Sequence, residues 1–288
     1  MNQTKLFIDL TRLKKPIGFM LLFWPCAWGL TLAYDFSLSL NNYFFYLTLF
    51  FLGSVLMRSA GCIVNDILDK EFDAKVFRTK NRPIASGKIS IKVAIFYSLV
   101  LCFLALLILL NFNFLTIILA LGSMPLAFTY PLMKRFTYWP QLFLGITFNY
   151  GLILGWTAIE GQLDLAPIIF YLGAIFWTLG YDTIYGYQDI RDDEIIGLKS
   201  TSIKFKGKAK KFLIMSYSLL IILFSIGGYF MKFDPKYYFI LFIPFMHLFF
   251  YQIRNLNLKN PTSCLRIFKS NNIFGFIIFL NILIAKNL

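Results

Sequence analysis

The sequence predicts an all-α polytopic membrane protein, and its composition is the first evidence for that fold class. Hydrophobic residues make up 58% of the 288 positions, charged residues make up only 15%, and the mean hydropathy is +0.68. A soluble domain would carry about a quarter of charged residues. Apolar runs recur from Ile17 to the C-terminus, and no polar stretch between them is long enough for a separate soluble domain. We therefore expect residues 1–288 to form a single transmembrane domain.

Apolar windows of membrane length predict the helices in order along the chain. A helix crosses the hydrocarbon core of a bilayer with about 20 residues. Nine windows approach that length, and they lie near 17–34, 43–64, 91–110, 113–130, 140–159, 165–187, 212–230, 236–252 and 272–286. The connections on one side are short, whereas the loops at 65–92 and 188–211 on the other side are long and rich in charge.

The positions of the basic residues predict the orientation of these helices. The chain carries a net charge of +14, which by itself would also suit nucleic-acid binding. Most Lys and Arg residues, however, fall in the loops that share one side with the N-terminus, and Lys232, Lys236 and Lys286 lie opposite. Because basic loops stay inside, we expect the N-terminus inside and the C-terminus outside. The excess of positive charge therefore indicates the membrane topology and an attraction to anionic membrane lipid. Nucleic acid is not an expected partner.

The N-terminal region predicts a bacterial location. Its apolar run is long for a secretory signal peptide and has no clear cleavage site. The stretch before Ile17 leaves no room for a typical transit peptide. We therefore expect a multi-pass protein of a bacterial inner membrane, with a cytoplasmic active site and a periplasmic C-terminus.

Carboxylates cluster where the second apolar window ends, in the stretch GCIVNDILDKEFDAKVFRTKNRP at 61–83. Asp66, Asp69 and Asp73 are spaced three and four residues apart, so on a helix they share one face. Asn65 adds an amide oxygen beside them. Like charges on one face repel each other, and a bound cation would relieve that repulsion. Because all these candidate ligands are hard oxygens, the pattern favours Mg²⁺ or a close relative over zinc or copper.

A second acidic cluster, YDTIYGYQDIRDDE at 181–194, repeats this pattern. Asp182, Asp189 and Asp193 are spaced seven and four residues apart and again share a helical face. Two such faces brought together would hold more than one divalent ion and leave coordination positions open for substrate phosphates. The alternative interpretation is that these residues are ordinary interfacial charges at helix ends.

The two acidic motifs, at 65–73 and 182–193, resemble each other. Their DxxxD pairs are 120 positions apart, and a basic residue with a hydroxyl residue follows each pair. This likeness predicts a diverged internal repeat, with coincidence as the alternative. Repeats in membrane proteins often place the functional site between the two halves.

Basic residues next to both motifs predict a phosphate site. Arg78, Arg82 and Lys199 can approach a diphosphate whose other oxygens are held by metal. A diphosphate at the end of an apolar helical bundle points to a long isoprenoid as the group attached to it. Arg58 lies inside an apolar window, where a charge is costly, so it is expected to face the bundle interior. There it binds an anionic substrate group or, alternatively, forms an internal ion pair.

These motifs resemble those of a known family. GCIVNDILDKEFDAKVFRTKNRPIASG at 61–87 and YDTIYGYQDIRDDEIIGLKSTSIKF at 181–205 are similar to the two signatures of the UbiA superfamily of intramembrane aromatic prenyltransferases. YPLMKRFTYWPQLFLG at 130–145 is most similar to members that prenylate 4-hydroxybenzoate in ubiquinone biosynthesis, and KKPIGFMLLFWPCAWGL at 14–30 resembles their first helix. Those members often carry an acid where this chain has Lys14.

The resemblance implies nine transmembrane helices around a central cavity, under a cap formed by the long inner loops. It implies Mg²⁺-dependent transfer of a polyprenyl group from polyprenyl diphosphate to the ring carbon next to the phenol of 4-hydroxybenzoate. Together with the residue chemistry above, it predicts the metal ligands Asn65, Asp66, Asp69, Asp73, Asp189 and Asp193. The predicted substrate contacts are Arg58, Asn65, Arg78, Arg82, Arg135 and Lys199, of which Arg58 and Arg135 compete for the benzoate carboxylate. The ring proton would pass to Asp69, Asp73 or Asp189.

Two other functions fit parts of the sequence. A UbiA-type enzyme for another aromatic acceptor, such as a naphthoate or homogentisate, would use the same metal and diphosphate residues, but the second motif argues against it. A divalent-cation transporter would also need facing carboxylates. That function predicts polar residues through the outer half of the membrane, and the outer half of each window is apolar.

Overall fold

The computed structural model describes residues 3–287, and that range contains helices and no strand. The α-helices are, in chain order, α1 (Gln3–Thr11), α2 (Ile17–Ala33), α3 (Leu40–Leu68), α4 (Lys70–Asp73), α5 (Ile91–Leu109), α6 (Phe114–Thr129), α7 (Met133–Phe136), α8 (Pro140–Glu160), α9 (Leu165–Gly186), α10 (Ile190–Ile195), α11 (Thr201–Lys204), α12 (Ala209–Phe230), α13 (Lys236–Met246) and α14 (Pro261–Lys286). The all-α fold class predicted from the sequence is confirmed.

The long helices coincide with the predicted apolar windows. In the described part of the chain, seven helical segments are long and apolar enough to cross a membrane, and they lie at α3, α5, α6 with α7, α8, α9, α12 and α14. The apolar helix α2 is shorter, with 17 residues. α13 continues as a π-helical segment, His247–Ile253, so the eighth window combines two helix types. The multi-pass membrane fold is thus confirmed, whereas the count of nine spans and the internal repeat stay predictions.

Glycines allow α2 and α8 to pack closely along their length. A side chain on Gly29 would overlap the backbone of Leu152, whose Cα lies 3.0 Å from the position of the missing Cβ. The Cβ position of Gly155 lies 2.6 Å from the amide nitrogen of Leu30. Helices in lipid gain little from the hydrophobic effect, so close backbone contact of this kind supplies much of their packing energy. The α2–α8 pair forms one wall of the bundle.

Buried tryptophans fix α2 and α9 against α14. The Trp28 and Trp177 rings are fully buried, with centroids 5.1 Å apart. Trp28 Nε1 donates a hydrogen bond of 3.0 Å to the Gly275 carbonyl, and Trp177 Nε1 donates one of 2.8 Å to Asn271 Oδ1. Leaving such a donor unpaired would cost about 1–3 kcal/mol. These contacts hold α9, which leads into the second acidic motif, in a fixed position.

The two long loops fold over the same end of the bundle. α4 lies in the first loop, and α10 and α11 lie in the second. The Ser200 hydroxyl accepts a bond of 3.2 Å from the Ile203 amide and so begins α11. The Lys199 amide donates a bond of 2.8 Å to the Lys134 carbonyl, which joins the second loop to α7. Residues from both loops are thereby placed above the ends of α3 and α9.

Large apolar side chains cover the outside of the bundle. Phe96 and Phe103 on α5 and Phe239 on α13 are each more than half exposed. A soluble monomer rarely shows continuous apolar patches of this kind. In a bilayer these side chains contact acyl chains, which agrees with membrane lipid as a partner of the protein.

Candidate active site

A cavity of about 800 Å³ extends from the two long loops into the helical bundle. Its acidic and amide lining includes Asn65, Asp66, Asp69, Asp73, Asp182, Asp189 and Asp193. Its basic lining includes Arg12, Arg58, Arg78, Arg82, Lys134 and Lys199. We call the region around Asp69 and Asp189 the loop end and the region around Arg58 and Phe148 the deep end. Both motifs predicted from the sequence therefore meet in one cavity.

The spacing of the first motif predicted one continuous helix, but the helix is interrupted at Asp69. α3 ends at Leu68, Asp69 has non-helical dihedral angles of −98° and 5°, and α4 begins one residue later. The helical hydrogen-bond pattern nevertheless continues, because the Asp69 amide donates to the Asn65 carbonyl at 2.9 Å and the Asp73 amide donates to the Asp69 carbonyl at 2.8 Å. The carboxylates therefore stay on the same side of the chain, and Asp66, Asp69 and Asp73 are all buried.

Arginines neutralise two carboxylates of the first motif. Arg82 Nη1 lies 2.6 Å from Asp73 Oδ2 and 3.1 Å from Asp66 Oδ1, so a single guanidinium joins both acids. Arg12 also forms a salt bridge with Asp66. Arg12 follows the end of α1 with a φ of 57°, a left-handed conformation that is uncommon for a residue with a side chain. The contact with Asp66 gives a reason for that conformation to persist.

Asp69 combines a basic partner with an unsatisfied oxygen. Its Oδ2 accepts a hydrogen bond from Lys134 Nζ, and Arg135 Nη2 lies 3.9 Å from its Oδ1. Oδ1 is buried and finds no hydrogen-bond partner within residues 3–287. Burial raises the pKa of Asp69 above its ordinary value, although the positive charge of Lys134 acts to lower it. A buried oxygen without a partner is costly, so this atom is available to a ligand with positive charge.

The second motif is tied to the loop of the first. Arg78 Nε donates to both carboxylate oxygens of Asp189 at 2.8 Å, and Arg78 Nη1 donates to the Tyr185 hydroxyl at 3.3 Å. Asp193, one helical turn further along, has no salt bridge in the part of the chain that the structure covers. Burial, together with the neighbouring charge of Asp189, raises the pKa of Asp193 to about 6. The two motifs thus share one charged surface.

Lys199, a predicted diphosphate contact, lines the cavity at the loop end. Its Nζ donates to the Phe136 carbonyl at 3.2 Å and lies 5.8 Å from the centroid of the Tyr138 ring. No carboxylate pairs with it among residues 3–287. The ammonium can therefore leave one carbonyl contact for a phosphate oxygen without leaving a buried acid unpaired.

The carboxylates do not form a ready-made metal cage. Of the residues that the structure describes, no three His, Cys, Asp or Glu side chains are grouped so that they could hold a metal ion. Asp66, Asp69, Asp73 and Asp189 are instead paired with Arg or Lys side chains. The donor set still fits Mg²⁺, because its atoms are hard oxygens and Asp69 Oδ1 is buried without a partner. Exchange of basic partners for a cation is therefore chemically consistent with the site.

Arg58 dominates the deep end of the cavity. Its guanidinium lies over the Phe148 ring, with Cζ 5.4 Å from the ring centroid. Its Nε is buried and makes no hydrogen bond to any residue from 3 to 287. Gly18 leaves the space for it, since a Cβ on Gly18 would lie 2.9 Å from Arg58 Nε. Arg58 is thus a buried cation directed into the cavity without a carboxylate partner, in contrast to Arg78 and Arg82.

Arg135, the predicted competitor of Arg58, lies outside the lining of the cavity. Its Nη2 donates a hydrogen bond of 2.6 Å to the Leu68 carbonyl, and its guanidinium lies 5.1 Å from the centroid of the Phe72 ring. These contacts fasten the end of α3 to α7. The geometry therefore favours Arg58 over Arg135 as the contact for a substrate carboxylate.

Two site residues were missed by the sequence analysis as candidates for chemistry. Lys134 is the lysine of the Lys-Arg pair in the matched segment at 130–145, so that motif was an available signal. Arg12 lies 54 positions from Asp66, and nothing in its immediate sequence connects it to an acidic motif. Contacts of this range depend on how the helices pack, which local spacing does not report.

Comparison with known proteins identifies close relatives. Residues 22–282 match the UbiA prenyltransferase family. A protein from Drosophila pseudoobscura pseudoobscura is 43% identical over 283 residues, covering 98% of this chain and 70% of its own length. A protein from Homo sapiens is 43% identical over 281 residues, covering 97% and 75%. Both are named "4-hydroxybenzoate polyprenyltransferase, mitochondrial".

Solved structures share the fold at lower identity. A UbiA homolog from Archaeoglobus fulgidus bound to GPP and Mg²⁺ superimposes with a TM-score of 0.74, at 18% identity over 98% of this chain and 100% of that chain. The apo structure of a UbiA homolog from Aeropyrum pernix K1 gives a TM-score of 0.71 at 21% identity, over 94% and 98%. These likenesses establish the helical architecture.

The names of the relatives contradict the expected bacterial inner membrane, because they point to mitochondria. The expectation rested on the short stretch before Ile17. The length of that stretch carries no information about the composition of the membrane that the helices enter. A multi-pass membrane protein fits the helices in the described range, and the bacterial assignment is withdrawn.

Proposed function

The chain belongs to the UbiA prenyltransferase family, and from that premise we propose that it transfers a polyprenyl group from polyprenyl diphosphate to 4-hydroxybenzoate in ubiquinone biosynthesis. The observation that carries this proposal is the division of the cavity into two chemically different ends. The loop end holds carboxylates with basic partners, and the deep end holds the unpaired Arg58. The names of the relatives support the same donor and acceptor classes.

The loop end suits a diphosphate together with a divalent metal. The residues that would hold Mg²⁺ are Asn65, Asp66, Asp69, Asp73, Asp189 and Asp193. Mg²⁺, when bound, supplies positive charge that stabilises the departing diphosphate. Arg78, Arg82 and Lys199 would contact the diphosphate oxygens, because guanidinium forks and ammonium groups bind phosphate well.

The walls of the cavity suit an allylic cation, which forms when the diphosphate departs. Water would add to that cation, and the apolar side chains of Leu21 and Phe148 line the cavity and exclude water from part of it. The rings of Tyr130 and Tyr185 also line it and can stabilise positive charge through their π-faces.

Carbon–carbon bond formation follows at the ring carbon next to the phenol, which is the 3-position of 4-hydroxybenzoate. The ring then loses the proton from that carbon. Asp69, Asp73 and Asp189 are the candidates for its acceptor, as they line the same cavity. Each must release its basic partner to act, because each is paired in the present structure.

The deep end suits the carboxylate of the acceptor. Arg58 offers a planar fork that matches a carboxylate, and it has no competing acid in direct contact. Its place over Phe148 leaves the free edge of the guanidinium for a ligand. A benzoate bound there would direct its phenol end away from Arg58, into the remainder of the cavity.

Product analysis tests this proposal. Membranes that contain the protein are incubated with Mg²⁺, 4-hydroxybenzoate and a mixture of prenyl diphosphates, and the extract is analysed by mass spectrometry. We expect 4-hydroxybenzoate with one carbon-linked prenyl group, and the product masses give the preferred chain length. Parallel incubations contain a naphthoate or homogentisate. Preferential prenylation of either one overturns the assigned acceptor, and no prenylated product from any acceptor overturns the transfer activity.

A further inference from the structure

A second ionisable residue, Asp182, lines the cavity from a membrane-spanning helix, as Arg58 does. Arg58 precedes Asn65 of the first motif by seven residues, and Asp182 precedes Asp189 of the second motif by seven residues. The seven residues from Arg58 to Asn65 lie within α3 and correspond to about 10 Å along its axis, whereas α9 ends at Gly186, four residues after Asp182. Arg58 lies on α3, Asp182 lies on α9, and both line the cavity. The two motifs therefore place one basic and one acidic side chain below the charged loop end.

Arg58 and Asp182 act on each other without touching. Arg58 is the charged group that interacts electrostatically with Asp182. No salt bridge within 4.0 Å joins the two side chains, and the Asp182 carboxylate has no hydrogen-bond partner in the described range. Tyr130 lines the same cavity as both residues. Both charged side chains are thus open to the same cavity, which has room for a small ligand.

The other cavity carboxylates have different surroundings. Asp66, Asp69, Asp73 and Asp189 are each paired with an Arg or Lys side chain. Asp9 and Asp193 are unpaired, but Asp9 belongs to the short helix α1 and Asp193 belongs to α10, within the second loop. Asp182 is thus the carboxylate on a membrane-spanning helix that faces the cavity without a basic partner in contact.

We infer that Asp182 binds the phenol hydroxyl of the acceptor and takes its proton during the reaction. This inference rests on the proposed function, because it needs an acceptor whose carboxylate is held by Arg58. A ring with a carboxylate at one end and a hydroxyl at the other fits between a cation and an anion that do not touch. The hydroxyl donates to the Asp182 carboxylate, and this charge-assisted bond orients the ring.

The chemistry balances with Asp182 as a temporary proton carrier. The bond from the prenyl carbon to the diphosphate oxygen breaks first, and its electron pair stays with the diphosphate. The ring carbon next to the hydroxyl then bonds to the resulting allylic cation. The phenol proton passes to Asp182, which leaves a neutral dienone. The ring carbon then gives up its own proton to one of Asp69, Asp73 and Asp189, and Asp182 returns its proton to the oxygen.

Ligand discrimination tests the binding part of the inference. Equilibrium binding of 4-hydroxybenzoate and of benzoate to the purified full-length protein is measured by calorimetry. We expect the wild type to bind 4-hydroxybenzoate about ten-fold more tightly than benzoate, as one charge-assisted hydrogen bond supplies that preference. Asp182→Ala should bring the ratio close to one and leave benzoate binding intact, whereas Arg58→Leu should weaken both ligands. Asp164→Ala, at the opposite end of α9, is the matched control and should keep the wild-type ratio.

Two results would overturn the inference. If Asp182→Ala lowers the affinity for both ligands equally, Asp182 affects only Arg58 or the stability of the fold. An unchanged ratio means that it does not contact the hydroxyl. A failure of the proposed function is seen separately, as absence of prenylated 4-hydroxybenzoate from the wild type, because the binding ratio does not depend on turnover.

Asp182→Asn tests the proton transfer. The amide oxygen can still accept the hydroxyl bond but cannot take a proton, so we expect affinity for 4-hydroxybenzoate within a few-fold of wild type. kcat should fall by at least about 100-fold, the range typical for loss of a general base, with KM for the prenyl diphosphate unchanged. A kcat near that of the wild type contradicts the role of Asp182 in proton transfer.

Discussion

The loop end and the deep end of the cavity differ in how their charges are partnered. At the loop end, Asp66, Asp69, Asp73 and Asp189 are all held by arginine or lysine. Arg58 and Asp182, in contrast, line the cavity without a salt bridge between them or to any other residue from 3 to 287. A paired site must exchange partners before it can bind a charged ligand, whereas an unpaired site is already arranged for one. The loop end is therefore suited to a donor that arrives with its own cation, and the deep end to a small aromatic acceptor.

Removal of divalent metal is the change with the largest expected effect on the loop end. Incubation with EDTA should abolish turnover, because the hard-oxygen ligands would then have only their basic partners, and added Mg²⁺ should restore it. The measurement is product formation by mass spectrometry, with metal content determined in parallel. Full turnover in protein proved free of metal contradicts the mechanism.

Loss of one carboxylate from each motif should have the next largest effect. Asp69→Ala and Asp189→Ala should each lower kcat by about 100-fold or more, since each removes a ligand of the same charged site. If the two act as a unit, the double variant should lose far less than the product of the single losses. Kinetics of all three variants, with membrane insertion verified, provide the measurement. Fully multiplicative losses would mean that the motifs form independent sites.

Replacement of the deep arginine should affect only the acceptor. Arg58→Lys keeps the charge but loses the fork, and a charged hydrogen bond at a buried site is worth about 1.5–3 kcal/mol. We expect KM for 4-hydroxybenzoate to rise by about ten-fold or more, with little change in KM for the prenyl diphosphate. Arg135→Lys is the matched control, because Arg135 lies outside the cavity lining.

A different pattern of KM changes would assign other roles to Arg58 and Arg135. If Arg58→Lys weakens only the prenyl diphosphate, Arg58 belongs to the phosphate site and Arg135 becomes the better carboxylate contact. If it weakens neither substrate but lowers the thermal midpoint, Arg58 is a structural residue.

A single methyl group next to Arg58 should have the smallest effect. Gly18→Ala would place a Cβ 2.9 Å from Arg58 Nε, so the guanidinium must move by a few tenths of an ångström. We expect KM for 4-hydroxybenzoate to rise by a few-fold with an unchanged KM for the donor. Gly53→Ala is the matched control, because the added methyl would meet open space. An equal change in KM in both variants would mean that the effect comes from helix stability and not from displacement of Arg58.

Much of the fold and part of the site follow from local patterns in the sequence. Each apolar window lies on a helix because membrane-length apolar runs have no other stable arrangement in lipid. The acidic motifs meet in one cavity, as their shared side of the membrane indicated. The end of α3 at Leu68 and the π-helical segment at His247–Ile253 were not predicted, since spacing alone does not specify where the hydrogen-bond pattern changes.

The partners of the charged residues could not be predicted for a different reason. Lys134 and Asp69 are 65 positions apart, and Arg78 and Asp189 are 111 positions apart. Such pairs form only when several helices have packed, and any basic residue at the same depth is an equally good partner on electrostatic grounds. The position of Arg135 outside the cavity is a case in point, because it is adjacent in sequence to Lys134, which lies inside.

The contact between Arg78 and Asp189 has a thermodynamic consequence for the order in which ligands bind. An anion that takes Arg78 releases Asp189, and a cation that takes Asp189 releases Arg78. Each ligand therefore removes part of the free-energy cost of binding the other. By linkage, the two affinities must rise by the same factor, so donor anion and metal are expected to bind with positive heterotropic cooperativity even when they never touch.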